Sequence, residues 1–350
     1  MEHPTIMVTG GAGFIGSNFV HYILHEMTGA RVIVFDKLTY AGNVENLADI
    51  IEDKRVTFIQ GDICDRQRVT EVMCACDWVV NFAAETHVDR SIAEPEAFIT
   101  TDIMGTFTLL EVAREYKIKR FMQISTDEVY GNAEAPDGMS RPSLESDALK
   151  PLSPYAASKA GADRLAFSYW ATFGLPIIIT RCSNNYGPYQ YPEKQLPLYI
   201  CNALSNRELP VYGDGKSTRD WIHVEDHCAA LSLLLRAPLE QVVGEVFNIS
   251  GNEERSILEN ALAVLKITGR PDSLLASVTD RPGHVLRHAV NAEKLGKKLG
   301  WQPHRRFSEG ILQTVTWYRE HPEWIQHILA RHDSFLEHAL IAGAHEIQRQ

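Results

Sequence analysis

Between a short apolar run, Thr5-Ile6-Met7-Val8, and a helix-forming stretch from Ser17 to Met27 stands Thr9-Gly10-Gly11-Ala12-Gly13-Phe14-Ile15-Gly16. Gly10, Gly13 and Gly16 keep the spacing of a dinucleotide-binding turn. The first glycine permits a tight turn, the second lets backbone approach a pyrophosphate, and the third lets the helix pack closely on its strand. A glycine pattern alone is weak, but a second apolar run, Arg31 to Phe35, ends in Asp36. That is about 20 residues on, where a carboxylate would hold a ribose hydroxyl. Asp36 would repel a 2′-phosphate, and no arginine follows it in Lys37-Leu38-Thr39-Tyr40, so NAD is expected rather than NADP.

Further strand-like runs follow at Val56–Ile59, Trp78–Phe82 and Phe121–Ile124, with helical stretches between them, among them Thr101 to Tyr116. Alternating β and α segments predict an α/β fold, a Rossmann-like doubly wound parallel sheet. The third run leads to Gly61-Asp62-Ile63, near an adenine, and the fourth to Ala83-Ala84, whose small side chains leave room for a ribose or nicotinamide. The expected division is a cofactor domain over residues 1–185 with a returning segment at about 220–251. A smaller, discontinuous substrate lobe would take 186–219 and 252–330, leaving a tail at 331–350.

The fifth run carries the chemistry. Ile124-Ser125-Thr126-Asp127-Glu128-Val129-Tyr130-Gly131 places two adjacent carboxylates just past a buried strand, where ligands sit in an open parallel sheet. Residues 132–152 read as a surface loop over this site, and Ser153 then opens a helix bearing Tyr155 and Lys159, one turn apart and so on one face. A lysine ammonium there would lower the tyrosine pKa and let the phenol oxygen take a proton from a substrate hydroxyl.

A formal net charge of -11 argues against a nucleic-acid partner. Six cysteines without a Cys-x-x-Cys pair suggest reduced thiols rather than a zinc site or a disulfide framework. The amino terminus shows no signal-peptide pattern, and no apolar run is long enough to cross a bilayer; a cytoplasmic protein without a membrane partner is expected. His321, His327, His332, His338 and His345 are irregularly spaced, which favours a solvated helical tail over a metal site. No metal is expected.

Taken together, the chain resembles an extended short-chain dehydrogenase/reductase, and within that group the dTDP-glucose 4,6-dehydratases. The resemblance rests on TGGAGFIGSNF (9–19), AAETHVDRSI (83–92), ISTDEVYG (124–131), YAASK (155–159), CSNNYGPYQYPEK (182–194), RDWIHVEDH (219–227) and DRPGH (280–284). The Thr-Asp-Glu triplet separates it from nucleotide-sugar 4-epimerases, which lack the paired acids. GDP-mannose 4,6-dehydratases keep only the glutamate and use NADP.

The resemblance implies an NAD-dependent lyase of deoxysugar biosynthesis. Tyr155, helped by Thr126 and Lys159, would remove the proton from the 4-hydroxyl as hydride leaves carbon 4. Glu128 would take the carbon 5 proton, and Asp127 would protonate the departing 6-hydroxyl. Cofactor contacts are expected from Gly10, Gly13, Phe14, Ile15, Gly16, Asp36, Lys37, Asp62, Ile63, Ala83, Ala84, Tyr155 and Lys159. Arg219 would hold the pyrophosphate and Tyr212 would lie near the nucleobase. Thr86, Asn185, Glu193, Lys194, Asn248, His284 and Arg287 would contact the remainder of a nucleotide-activated hexose. A homodimer built on a four-helix bundle is also implied.

The chain departs from the family pattern at Val285, Leu286, His288 and Asn291, in a segment that borders the nucleotide, and at Asp102, where asparagine is usual near the cofactor. The same chemistry on UDP-glucose or a UDP-N-acetylhexosamine is the alternative these departures leave open. A 4-epimerase is a more distant one.

Overall fold

The computed structural model describes residues 3–134, 139–279 and 285–331, together with 333, 336 and 340. Its centre is a seven-stranded sheet. The strands are β1 (Thr5–Thr9), β2 (Arg31–Asp36), β3 (Val56–Gln60), β4 (Trp78–Asn81), β5 (Arg120–Thr126), β6 (Ile177–Cys182) and a returning strand, Val246–Ile249. They run in the order Val246–Ile249, β6, β5, β4, β1, β2, β3, and every pairing is parallel. The winding reverses between β1 and β4, which opens a crevice at the carboxyl ends of those strands.

Strands covered on both faces cannot alternate polar with apolar. β4 and β6 are accordingly buried at every position. Successive side chains still point to opposite faces, so Ile6 and Val8 of β1 join one core with Phe19 and Leu231, whereas Met7 joins the other with Leu110 and Phe121. A third core gathers Tyr199, Trp221, Ile257, Phe307 and Tyr318 around a smaller set of strands. There Thr218–His223 pairs with Glu254–Ser256, Arg287–His288 and Asn184–Tyr186, and Leu209–Tyr212 pairs with Leu275–Val278.

Two helices differ from the sequence expectation. The first begins at Phe14 rather than Ser17, because Gly13 already stands in extended conformation as its N-cap. The stretch expected as one helix from Thr101 to Tyr116 is a π-helical turn, Ile99–Gly105, running into an α-helix, Thr106–Glu115. Gly105 ends that turn against Ile63, whose Cδ1 would stand 2.4 Å from any added Cβ. Wider turns of this kind recur at functional sites.

The carboxyl-terminal residues are not simply solvated. Leu336 and Leu340 are buried in the third core. In the helix Pro322–Leu329, the Trp324 indole donates to Asn46 Oδ1 at 2.8 Å and His327 meets Glu45 at 2.9 Å. Just beyond it, Arg331 donates to the Gly42 carbonyl and to Asn43 Oδ1. Asn43 and Asn46 in turn donate to the carbonyl of Ala12 in the glycine loop. Asp333 accepts from Arg90 and from the Tyr191 hydroxyl. Among the described residues no group of His, Cys, Asp and Glu is arranged to hold a metal ion, and no helix is long and apolar enough to cross a membrane. His332, His338 and His345 lie outside the described residues.

Candidate active site

A single cavity of about 1000 Å³ runs from the glycine loop across the ends of β1, β4 and β5 to the smaller lobe. Gly10, Gly13, Phe14, Ile15, Gly16, Asp36, Lys37, Asp62, Ile63, Ala83 and Ala84 all line it. The loop is built for close approach. A Cβ on Gly16 would fall 2.2 Å from the Gly10 carbonyl oxygen, and one on Gly10, whose φ is +66°, would fall 2.7 Å from the Ala83 nitrogen. Gly13 offers the helix Phe14–Glu26 no side-chain cap, so its first amide groups face the cavity end as donors suited to an anion. Asp36 is fixed by the backbone amides of Ala12 (2.9 Å) and Leu38 (2.8 Å). Lys37 pairs with Asp62 at 2.8 Å. These residues fit a dinucleotide with a free ribose 2′-hydroxyl.

The residues expected to carry the chemistry sit at the junction of β5 and the helix Pro154–Phe173. Thr126 ends β5 and caps the 3₁₀ turn Asp127–Tyr130, its Oγ1 accepting from the Glu128 amide at 3.3 Å and donating to Asp127 Oδ1 at 3.3 Å. This turn carries the two neighbouring carboxylates into different surroundings. Asp127 is only 3% exposed, and its Oδ2 has no partner among the described residues. Burial, then the charges of Glu128 and Asp220, hold its pKa well above the usual carboxylate range. Glu128 is half-buried and lines the cavity. Neighbouring like charges cannot both ionise cheaply, which favours the proton on Asp127.

Tyr155 lines the same wall, its ring edge-on to Phe98 with centroids 6.2 Å apart. Burial and the negative charges of Glu128 and Asp102 raise its pKa, while a hydrogen bond with Thr126 opposes them. Lys159, one turn on, donates to the Ile124 carbonyl at 2.8 Å. Burial lowers its pKa against the pull of Asp102 and Asp163.

On the sugar side Thr86, Asn185, Glu193, Lys194, Tyr212 and Arg219 line the cavity. The Lys194 ammonium donates to the Thr86 hydroxyl at 3.0 Å, and Arg90 donates to the buried Glu193 carboxylate at 2.8 Å. Two expected residues stand elsewhere, and the position of a third is not described. His284 lies outside the described residues. Asn248 is fully buried away from the cavity, donating to the Ser143 carbonyl and accepting from the Tyr130 hydroxyl. Arg287 does not line the wall, its guanidinium being spread over Glu254, Ser140 and the Ala133 carbonyl.

Sequence reasoning missed Asn184. The Asn185 amide is already spent on the Ser183 carbonyl and, through its oxygen, on His227. Asn184 lines the cavity with a buried Nδ2 that has no partner among the described residues. His288, one residue past the expected Arg287, also lines it.

Comparison with known proteins agrees with this geometry. A family model described as GDP-mannose 4,6 dehydratase matches residues 7–314. A dTDP-glucose 4,6-dehydratase of Streptomyces niveus is 46% identical over 323 residues, covering 91% of this chain and 94% of that protein. The dTDP-glucose 4,6-dehydratase 1 of Escherichia coli is 44% identical over 346 residues, covering 92% and 95%. This chain belongs to the dTDP-glucose 4,6-dehydratase family. Among solved structures, the dTDP-glucose 4,6-dehydratase DesIV of Streptomyces venezuelae, crystallised with NAD and TYD bound, superposes with a TM-score of 0.88. It is 43% identical and covers 93% of this chain and 99% of its own. A UDP-glucuronic acid 4-epimerase from Bacillus cereus shares the fold at a TM-score of 0.84 but only 28% identity, covering 90% of this chain and 99% of its own. The dehydratase family thus shares its scaffold with epimerases.

Proposed function

We propose that this chain converts dTDP-glucose to dTDP-4-keto-6-deoxyglucose with NAD, as a nucleotide-sugar 4,6-dehydratase. The observation that carries this reading is the unequal environment of two adjacent carboxylates beside Tyr155 and Lys159. An elimination of water needs a base and an acid at the same moment, and proximity with unequal burial supplies both. The residues from Gly10 to Gly16, with Asp36, Lys37, Asp62, Ile63, Ala83 and Ala84, would hold the dinucleotide. NAD, when bound, accepts hydride from carbon 4 and later returns it to carbon 6.

The protein's own part is proton management. Tyr155, bonded to Thr126, removes the 4-hydroxyl proton. The ketone at carbon 4 acidifies the proton on carbon 5; Glu128 takes it and gives a proton back to carbon 5 when hydride reaches carbon 6. Asp127, protonated in its buried setting, gives its proton to the 6-hydroxyl, which leaves as water. Arg219 would hold the pyrophosphate with its guanidinium fork, and Asn184 would add an amide donor toward the sugar.

A second copy would cover the helices beside the site. Ile99, Met104 and Phe107 are 48%, 51% and 40% exposed, and Phe173 on the neighbouring helix is 53% exposed. Burying such side chains is the usual reason for a constitutive dimer. Sedimentation should therefore give a homodimer, and a monomer at micromolar concentration would refute that assignment. A cytoplasmic location accords with nucleotide-sugar chemistry and with the six free cysteines.

The substrate is tested by a turnover screen of dTDP-, UDP-, GDP- and CDP-glucose with UDP-N-acetylglucosamine. dTDP-glucose should be converted with the highest kcat/KM to a product with the alkaline absorbance of a 4-keto sugar. Preference for a UDP-sugar would move the assignment to the alternative that the Val285-Leu286 and His288 departures leave open.

A further inference from the structure

Asp102 is the one buried carboxylate near Lys159 whose charge no other cation claims among the described residues. Asp163, the other carboxylate in reach of that ammonium, is held by Arg181 at 2.8 and 3.0 Å and by Arg164. Asp102 is 1% exposed and sits in the middle of the π turn Ile99–Gly105. Its Oδ1 accepts from the Glu85 amide at 2.8 Å, just past Ala83 and Ala84, and its Oδ2 accepts from the Ser158 hydroxyl at 2.6 Å. Ser158 lies between Tyr155 and Lys159 on their helix, with the Tyr155 carbonyl 2.8 Å away as the other acceptor open to its single proton. One side chain therefore ties the expected nicotinamide wall to the catalytic helix.

Resting on the dehydratase reading above, we propose that Asp102 is a positioning residue that serves as the counter-charge of Lys159, keeping its ammonium protonated so that Tyr155 can act as a base. Two effects of Asp102 compete. Its charge opposes ionisation of Tyr155 directly, and it favours the Lys159 ammonium, which burial otherwise drives toward the neutral form. The titratable groups facing it are Lys159 and Tyr155 on the catalytic helix and Glu85 after β4. In the proposed role the path through Lys159 wins.

Asp102→Asn isolates the charge. The amide oxygen can still accept from Glu85, and the amide nitrogen can donate to Ser158, whose hydroxyl can then donate to the Tyr155 carbonyl. In rapid mixing with dTDP-glucose, the pH at which NADH formation reaches half its maximal rate should rise by about one unit in Asp102→Asn, a loss that approaches about tenfold well below the wild-type midpoint. In a Lys159→Met background the same substitution should cause no further slowing. A midpoint that stays put or falls, or an equal slowing in the Lys159→Met background, would overturn the proposal.

A second measurement needs no turnover. Burial raises the Asp102 pKa to about 6, so between pH 4 and pH 6 the unfolded chain releases a proton that the folded one retains. The sign follows: this group's contribution to stability is full below the usual carboxylate pKa and is lost as pH rises to about 6. The Tm of Asp102→Asn should gain on that of the wild type by about 2–5 °C across this window and run parallel above it. A gap that keeps widening above pH 6 would show that Asp102 stays protonated in place, which also overturns the proposal. Ser158→Ala, which removes one hydrogen bond and leaves the charge, should keep the wild-type midpoint. If dTDP-glucose gives no NADH with the wild type, the substrate reading fails, and the Tm comparison still decides the role of Asp102.

Discussion

Glu128→Gln should abolish exchange of the carbon 5 hydrogen with solvent deuterium while leaving the first hydride transfer in place. Overall turnover is expected to fall by about 10²–10⁴-fold, the usual worth of a positioned general base. The amide keeps the size of the side chain and leaves the Glu128 backbone amide bonded to Thr126, so the turn Asp127–Tyr130 should survive. The expected signature is NADH that forms on mixing and persists, because the 4-ketone is made but not advanced. Mass spectrometry of sugar recovered from deuterated buffer reads the exchange directly. Normal deuterium incorporation at carbon 5 in Glu128→Gln would remove Glu128 from the role of base.

Tyr155→Phe should fail one step earlier. The ring packs edge-on against Phe98, and phenylalanine keeps that contact. What disappears is the oxygen that pairs with Thr126 and, in the proposed mechanism, takes the 4-hydroxyl proton. The rate of NADH formation should drop by about 10²–10⁴-fold with little change in the binding of dTDP-glucose. The two substitutions together order the reaction: one variant stalls before the cofactor is reduced, the other after. A Tyr155→Phe protein that still accumulates NADH at the wild-type rate would assign the proton transfer to another group, with Thr126 the nearest hydroxyl to test.

Much of the site is legible in the sequence because its parts are local. The glycine loop, Asp36, the acids after β5 and the Tyr155/Lys159 turn each depend on spacing within one strand-turn-helix unit, and short-range spacing survives folding. What the sequence does not show depends on partners far along the chain. Asn184 and Asn185 are neighbours of one type on one short strand, and only the pairing with Trp221 and Ile222 decides which amide is left over. Asn248 and Arg287 look like ligand residues until Ala133, Ser143, Glu145 and Glu254 arrive to take their donors and acceptors. The π turn has no simple periodic signature, so the sequence marks Asp102 only as a departure from a usual asparagine and does not show that it bridges Glu85 and Ser158. The burial of Leu336 and Leu340 in the smaller lobe escaped for the opposite reason: the irregular histidines around them mask the apolar spacing.

The carboxyl-terminal arm bears on how the enzyme opens. Trp324, His327 and Arg331 fasten the last helix to the segment from Gly42 to Asn46, and that segment is bonded to the glycine loop through the Ala12 carbonyl. The smaller lobe is thereby hung on the edge of the crevice where the dinucleotide would lie, like a door on its hinge post. Parting the smaller lobe from that edge would break those hydrogen bonds, so this is the edge of the crevice that the chain itself holds closed.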